Sequence, residues 1–125
     1  MATLTPKLTL TMDYASVGTT TGSLIVSVDD SLTTTSPHIN LARKSVATGS
    51  AQEVIPSNSG FMYVYVKAVS GENATDWIQV KIGTHAVIRL DVGEFMFLPV
   101  YNGYAINAEA QGGAVVTEYG FWSKG

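Results

Sequence analysis

Apolar and polar residues alternate most strictly between Phe61 and Val69, and this alternation predicts the central strand of the fold. Turn residues precede and follow the stretch, so both of its ends are marked. Because successive side chains of a strand point to opposite faces, the strand has two different sides. The predicted core side is Met62, Val64, Val66 and Ala68, and the predicted outer side is Phe61, Tyr63, Tyr65 and Lys67. An aliphatic side is typical of a core, whereas rings, hydroxyls and a cation are typical of a surface that contacts a partner.

The first residues also alternate, and we predict that residues 1–14 form either an edge strand or an extended arm. One side of this alternation consists of Leu4, Leu8, Leu10, Met12 and Tyr14. Pro6 interrupts the apolar set and removes a backbone donor, which restricts the segment to an edge or to a position outside a sheet. An arm would reach a neighbouring subunit, so Leu4 and Leu8 are candidate interface residues.

The rest of the chain consists of short apolar segments separated by turn residues. Strands are predicted at residues 24–28, 52–55, 61–69, 76–82, 85–91, 94–98, 104–110 and 114–122, whereas residues 32–44 fit a strand, a loop or a short helical turn. Asn102-Gly103 is a strong signal for a two-residue hairpin. About eight to ten short strands without a convincing helix predict one all-β domain over residues 1–125. The expected fold is an antiparallel sandwich, jelly-roll-like.

Shared parity in neighbouring predicted strands defines a single predicted core. Its members are Met62, Val64, Val66, Ile78, Val80, Ile82, Ile88 and Leu90. The same reasoning places Val28 and Ala86 on inward-facing sides, and it places Trp77 on an outward-facing side.

Composition narrows the classes of partner. Only 14 % of the 125 residues are charged, against about 25 % in typical domains. A surface with so few charges favours a protomer that covers part of itself with neighbours, so we expect a homo-oligomer and take a trimer as the working assumption. The net charge of −3 gives no electrostatic footprint for nucleic acid. No apolar run approaches about 20 residues, so no membrane span is predicted.

The sequence indicates no catalytic chemistry. There is no cysteine, and His38 and His85 lack the paired spacing of a metal site on a jelly roll. No nucleophile elbow or phosphate-binding loop is present. The carboxylate pairs Asp29-Asp30 and Glu72 with Asp76 fit turn chemistry better than Ca²⁺ ligation. We therefore expect a protein that is not an enzyme and that has no cofactor, no metal and no catalytic residue.

The outward-facing aromatic residues are the strongest functional signal. They are Phe61, Tyr63, Tyr65, Trp77, Phe95 and Trp122. Tyrosine and tryptophan combine apolar area with a polar tip and are enriched at protein interfaces. A carbohydrate-binding module would use the same residues, with Trp77 or Trp122 stacked on a sugar, so both classes of partner stay open.

Several segments of the second half resemble small bacteriophage virion proteins. These segments are Tyr63-Val64-Tyr65-Val66-Lys67, Trp77-Ile78-Gln79-Val80, Leu90 with Gly93-Glu94-Phe95, Phe97-Leu98-Pro99-Val100 and Glu118-Tyr119-Gly120-Phe121. Proteins of that kind are β-rich particle components, and some are capsid decoration (cement) proteins. The resemblance implies a virion structural protein on the capsid surface that bridges and stabilises capsid subunits. A tail, fibre or neck component is the alternative within the same class.

On this interpretation the partners are the major capsid protein or other virion proteins and further copies of the chain. The candidate interface residues are Leu4, Leu8, Tyr63, Tyr65, Lys67, Trp77 and Trp122. No catalytic residue is implied by the resemblance.

Overall fold

Twelve β-strands and no helix make up the regular structure in a computed structural model that describes residues 2–15, 21–34, 41–57, 61–101 and 104–124. The strands are β1 (Ala2–Leu4), β2 (Lys7–Ala15), β3 (Thr21–Asp29), β4 (Leu32–Thr34), β5 (Ala42–Val46), β6 (Gln52–Ile55), β7 (Met62–Gly71), β8 (Trp77–Ile82), β9 (His85–Asp91), β10 (Phe95–Val100), β11 (Ile106–Gln111) and β12 (Val115–Ser123). The predicted hairpin at Asn102-Gly103 lies outside the described residues.

Strands β5 to β12 form two packed antiparallel sheets, which confirms the predicted all-β sandwich. Sheet I has the strand order β10-β7-β12-β5, and sheet II has the order β6-β11-β8-β9. Strand β7 lies between β10 and β12 and pairs with both, so the stretch predicted to be central is central. Within residues 32–44, where the sequence left the structure open, the described part contains the strand β4 and the start of β5.

The core lies between the two sheets and follows the predicted parity. Six of the eight predicted core residues are buried: Met62, Val64, Val66, Ile78, Val80 and Leu90. The other two, Ile82 and Ile88, are partly buried and pack against the same cluster. Ile106, Ala108 and Val115 extend the cluster into β11 and β12. Both sheets therefore contribute their aliphatic sides to one continuous core, as a sandwich requires.

The prediction that Ala86 faces inward is wrong, because the pairing of β8 with β9 changes register. Val80 lies opposite Ile88, but the next residue of β8, Lys81, lies opposite Ala86. One residue of β9 is thus left without a counterpart, as in a β-bulge, and the parity inverts beyond it. Ala86 is exposed as a result.

Strand β10 is longer than predicted. The sequence ended it before Pro99, but the strand continues through Pro99 to Val100. Proline cannot donate a ladder hydrogen bond and is tolerated on edge strands. Strand β10 is the edge of sheet I, so Pro99 fits there without disrupting the sheet.

The N-terminal segment forms a two-stranded ribbon of its own. Strand β1 pairs with β4 and β2 with β3, and β2 and β3 pair with no described strand of either sheet. One antiparallel register runs from Ala2 opposite Thr34 to Ala15 opposite Thr21, with an interruption next to Pro6. We call residues 2–15 and 21–34 the N-terminal ribbon. With its four strands, the number of described strands is twelve, which is above the predicted eight to ten.

The prediction that Val28 faces a core is also wrong. Val28 belongs to the ribbon and is 45 % exposed, because a single two-stranded layer has no second sheet to cover its apolar side. A bridge between Thr34 and Lys124 connects the base of the ribbon to the end of β12.

A buried carboxylate fastens two turns at one end of the sandwich. Asp76 is 2 % exposed, and its Oδ2 accepts the backbone N–H of Asn73 at 2.7 Å. The backbone N–H groups of Gly113 and Glu72 also donate to Asp76, so the β7–β8 turn and the β11–β12 turn share one acceptor. Gly112 has a φ of 93° and lies against the carboxylate, where a Cβ would collide with Oδ1. This confirms turn chemistry as the role of Asp76.

Candidate interaction surface

The side of sheet I that faces away from the core carries rings on three neighbouring strands. The register sets Tyr65 of β7 opposite Phe97 of β10 and Tyr63 opposite Trp122 of β12. Residues directly opposite each other in antiparallel strands place their side chains on the same face. We call this side the outer face; it contains Tyr63, Tyr65, Lys67, Phe95, Phe97, Glu118 and Trp122.

The rings of the outer face contact one another. Tyr63 stacks on Phe97 with 6.1 Å between ring centroids and 12° between ring planes. Phe97 in turn lies 6.3 Å from Trp122, in a tilted arrangement. Such pairs contribute about 0.5–1.5 kcal/mol each beyond simple burial. The cluster thus holds Phe97 in place although 37 % of this residue is exposed.

One cation–π contact and one aromatic pair extend the ring cluster towards one end of the sheet. The Lys124 Nζ lies 5.0 Å from the centroid of the Tyr63 ring. Phe61 and Tyr101 form an edge-to-face pair at 5.3 Å. The surface therefore continues to the end of the sheet.

A polar network borders the rings at the other end. The Tyr65 hydroxyl donates to Glu118 Oε1 at 3.0 Å, and Arg43 Nε donates to Glu118 Oε2 at 3.0 Å. Burial, and then the bond to Glu118, raises the pKa of Tyr65 above its usual value. The bond from Tyr65, and then the bond from Arg43, lowers the pKa of Glu118. At neutral pH the network therefore consists of a neutral phenol, a carboxylate and a guanidinium that satisfy one another.

The N-terminal ribbon faces this surface across an open groove of ≈ 790 Å³. The ribbon lines the groove with Leu4, Pro6, Lys7, Leu8, Leu10, Val28, Asp30 and Leu32, and sheet I lines it with Tyr65, Phe95, Met96, Phe97 and Trp122. The walls are mostly apolar yet incompletely covered, because Leu10 and Phe95 are each 52 % exposed. The groove is thus an apolar surface that the ribbon overhangs without closing.

Three of the polar side chains that line the groove have partners within the chain. The Tyr65 hydroxyl donates to Glu118, and Lys7 Nζ lies 3.5 Å from Asp29 Oδ2. Asp30 Oδ1 accepts the backbone N–H of Ser31 at 2.7 Å. A small-molecule site usually directs a few free polar groups at its ligand. This groove is instead mostly apolar, and its charged side chains have partners within the ribbon.

The structure brings most of the predicted interface residues together. Leu4, Leu8, Tyr65 and Trp122 line the groove. Tyr63 stacks on the groove residue Phe97, and Lys67 lies opposite Phe95 on the same face. Leu4, Leu8, Tyr63, Tyr65, Lys67 and Trp122 therefore lie on or beside one groove.

Trp77 is separate from that set, because it belongs to β8 of sheet II. The guanidinium carbon of Arg89 lies 4.3 Å from the centroid of the Trp77 ring. The arginine therefore occupies a face of the indole on which a sugar would stack. The two tryptophans considered for carbohydrate binding lie on different sheets and form no common platform.

Sequence reasoning missed several residues of the groove as interface candidates. They are Pro6, Lys7, Leu10, Val28, Asp30, Leu32, Met96 and Phe97. Phe95, which the sequence placed among the outward-facing rings, and Phe97 alternate with the buried Met96, and this period of two was the available signal for Phe97. Leu10 shares its parity with Leu4 and Leu8, which was the available signal for Leu10.

Among the described residues, no three His, Cys, Asp or Glu side chains are grouped so that they could hold a metal ion. His85 is exposed at the start of β9, and His38 lies outside the described residues.

Comparison with known proteins adds no relative, since no protein-family model, no curated protein and no solved structure matches the chain. None of the described residues forms a helix that could cross a lipid bilayer. The outer face, the groove and the N-terminal ribbon are therefore the features from which a function can be proposed.

Proposed function

We propose that this chain is a structural protein of a bacteriophage virion, and specifically a capsid decoration protein that bridges and stabilises capsid subunits. The observation that carries the proposal is the groove, whose apolar walls remain partly exposed while its charged side chains and the Tyr65 hydroxyl have partners within the chain. Such a surface supports binding of apolar protein side chains better than it supports chemistry on a substrate. The protein has no catalytic role in this proposal.

The order of the strands supports the jelly-roll part of the interpretation. Consecutive strands from β5 to β12 alternate between sheets I and II, except that β8 and β9 are neighbours in sheet II. Jelly rolls with eight strands in two sheets occur in viral capsid and lectin domains. The topology therefore agrees with a virion protein, and also with a carbohydrate-binding module.

The surroundings of the two tryptophans favour the virion protein over the carbohydrate-binding module. Arg89 lies over Trp77, and Trp122 contacts Phe97 inside the apolar groove. One face of Trp77 is therefore covered by a cation, and Trp122 lies among apolar side chains that offer a sugar few hydrogen bonds.

The proposed mechanism is passive. The outer face and the N-terminal ribbon bind the major capsid protein, or another virion protein, together with further copies of the chain. Separation of neighbouring capsid subunits then breaks these contacts as well, so the particle withstands a larger internal pressure. No cofactor and no metal take part in this mechanism.

Particle binding of two matched variants tests the proposal. Phe97→Ala truncates the centre of the ring cluster, and loss of about 2 kcal/mol at an interface centre weakens binding roughly 30-fold. Val87→Ala removes an apolar side chain that is also exposed but lies on sheet II, and it should bind like the unchanged protein. Val87→Ala should keep the melting temperature of the unchanged protein, whereas Phe97→Ala loses two ring contacts and should lower it by a few degrees, so binding is compared at a temperature where both variants are folded.

Mass analysis of purified particles decides the location. A copy number comparable to that of the major capsid protein supports decoration, whereas a few copies per particle would indicate a tail, fibre or neck component. Absence from particles, together with equal binding by both variants, would contradict the proposal.

A further inference from the structure

The two walls of the groove belong to one chain but do not close on each other. The ribbon contributes apolar residues such as Leu8 and Leu10, and the outer face contributes Phe95 and Phe97. On both walls these side chains remain between about a third and a half exposed. Each wall is therefore an apolar surface that still lacks a partner of its own shape and chemistry.

The charges of the two walls are complementary. The charged ribbon side chains that the structure describes are Lys7, Asp29 and Asp30, one positive and two negative, so they carry a formal charge of −1. The described charged side chains on and beside the outer face are Arg43, Lys67, Lys124 and Glu118, which gives +2. A chain with a net charge of −3 thus concentrates positive charge on the face that the ribbon overhangs. This arrangement favours a ribbon as the occupant of the outer face.

The dimensions of the two surfaces also match. Strands β2 and β3 have nine residues each, which corresponds to about 30 Å. The central strand β7 of sheet I has ten residues and so has nearly the same length. A ribbon of this size can lie along the whole outer face.

The connection between the ribbon and the sandwich allows the ribbon to change direction. Strands β1 and β4 stay attached near β12 through the Thr34–Lys124 bridge. The ladder is interrupted between Leu4 and Lys7, where the Asp30 N–H donates to the Pro6 carbonyl over a long distance of 3.5 Å. Exchange of an identical element between copies needs such a joint and no new contact chemistry.

From these observations we propose that the groove is the binding site for the β2–β3 ribbon of a second copy of this chain. In the exchanged assembly each ribbon leaves the groove of its own chain and covers the outer face of a neighbour. The inference rests on the self-association included in the proposed function, and it names the contact that produces it. It does not depend on the capsid as a partner.

Single-cysteine variants test the exchange, because the chain has no cysteine of its own. Leu10→Cys places a thiol on the ribbon, and Phe95→Cys places one on the outer face. The Leu10→Cys chain carries a mass tag, and the two full-length variants are mixed and treated with a short bismaleimide cross-linker. A docked ribbon holds its thiol near the other at a local concentration of about mM, so the mixed dimer should form roughly 1,000-fold faster than by random collision at μM concentration.

A matched control replaces Phe95→Cys with Val87→Cys, which lies at an exposed position on sheet II. This pair should form mixed dimers only at the random rate. Added salt should slow the reaction of the Leu10–Phe95 pair, since the two walls have opposite charge. Val28→Cys with Phe97→Cys is a second pair across the same groove, and it replaces the first if a melting curve shows that either variant is unfolded.

The double variant Leu10→Cys/Phe95→Cys distinguishes exchange from closure within one chain. Predominantly intermolecular products at μM concentration support exchange. Products that are intramolecular at every concentration would overturn it, and so would the absence of both kinds of product. A stoichiometric apolar small molecule bound to the protein in native mass spectrometry would also overturn it.

These readouts are independent of particle binding. If mixed dimers fail to form while the protein still binds particles through Phe97, the exchange is wrong and the proposed function stands. If mixed dimers form but the protein is absent from particles, the exchange stands and the proposed function is wrong.

Discussion

The sandwich and the N-terminal ribbon are both built from alternating strands, but they differ in what covers their apolar sides. In the sandwich, Val64 of sheet I and Ile78 of sheet II are buried in one shared core. In the ribbon, Leu10 and Val28 point into an open groove and remain about half exposed. Isolated two-stranded ribbons are only marginally stable in water. The comparison teaches that alternation defines an apolar side but does not tell which surface will cover it.

The largest expected effect on stability comes from placing a charge in the core of the sandwich, and the same change in the ribbon serves as the comparison. Val64→Asp places a carboxylate in the centre of the core, where an unpaired charge costs several kcal/mol, so the protein should not fold. Leu10→Asp is the matched change in the ribbon and should leave the melting temperature nearly unchanged. Circular dichroism melting curves compare the two. Normal melting of the Val64→Asp protein would show that the register of β7 is wrong.

The next effect concerns the carboxylate that joins the two turns of the sandwich. Asp76→Asn removes the charge that accepts several backbone N–H groups, and it should lower the melting temperature at neutral pH by roughly 5 °C or more. Asp29→Asn changes an exposed carboxylate of the ribbon and should have little effect. A melting temperature of the Asp76→Asn protein equal to that of the unchanged protein would contradict the role of Asp76.

The same carboxylate predicts how stability depends on pH. The hydrogen bond from the Asn73 backbone, the largest cause, holds the pKa of Asp76 below its usual value. The folded state therefore favours the charged form, and its contribution is fully present above the unfolded pKa of about 4. That contribution is lost as the pH falls through the lower folded-state pKa. The unchanged protein should thus lose stability below about pH 4, and the Asp76→Asn protein should lose less over the same range.

A smaller effect on stability is expected at a polar group that is buried in the core of the sandwich. Thr117 is fully buried, and its hydroxyl oxygen has no hydrogen-bond partner among the described residues. Thr117→Val keeps the shape and removes the unpaired polar group, so it should increase the free energy of unfolding by about 1 kcal/mol. Thr33→Val at an exposed position of the ribbon is the control. Urea denaturation compares both variants with the unchanged protein, and a destabilised Thr117→Val protein would indicate that the hydroxyl is satisfied.

The smallest effect on stability should accompany a clear effect on assembly. Leu10→Ser changes an exposed ribbon residue, so the free energy of unfolding should change by no more than about 0.5 kcal/mol. Light scattering over a concentration series should nevertheless show weaker self-association than for the unchanged protein. Val87→Ser on sheet II provides the control. Equal association of all three proteins would remove the ribbon from the interface.

The sandwich could be predicted from the sequence because its strands repeat a local rule. Alternation with turn residues at both ends found β7, and shared parity found a core that includes Val80 and Leu90. The rule failed at Ala86, because a single unpaired residue in β9 inverts the parity and leaves no mark in the pattern. It also failed at Pro99, because only the position of β10 at the edge of sheet I makes a proline acceptable there.

The groove could be predicted only in part because it forms between distant segments. The aromatic side of β7 was visible in the alternation, and the apolar side of the first residues was visible as well. Nothing in either pattern states that the two face each other, since this follows from how the ribbon leaves the end of β12. The separation of Trp77 from Tyr65 likewise depends on which strand joins which sheet, and local periodicity does not contain that information.

The interruption of the ribbon next to Pro6 has a mechanical consequence. The register is the same on both sides of the interruption, with Leu4 opposite Leu32 and Lys7 opposite Asp29. Bending at this point therefore changes the direction of the ribbon but neither its length nor the partner of any residue along it. A ribbon of fixed length that bends at its base can reach attachment points at different angles while it presents the same surface. Such a ribbon would accommodate differences in curvature between neighbouring attachment points without any change in the residues that make the contact.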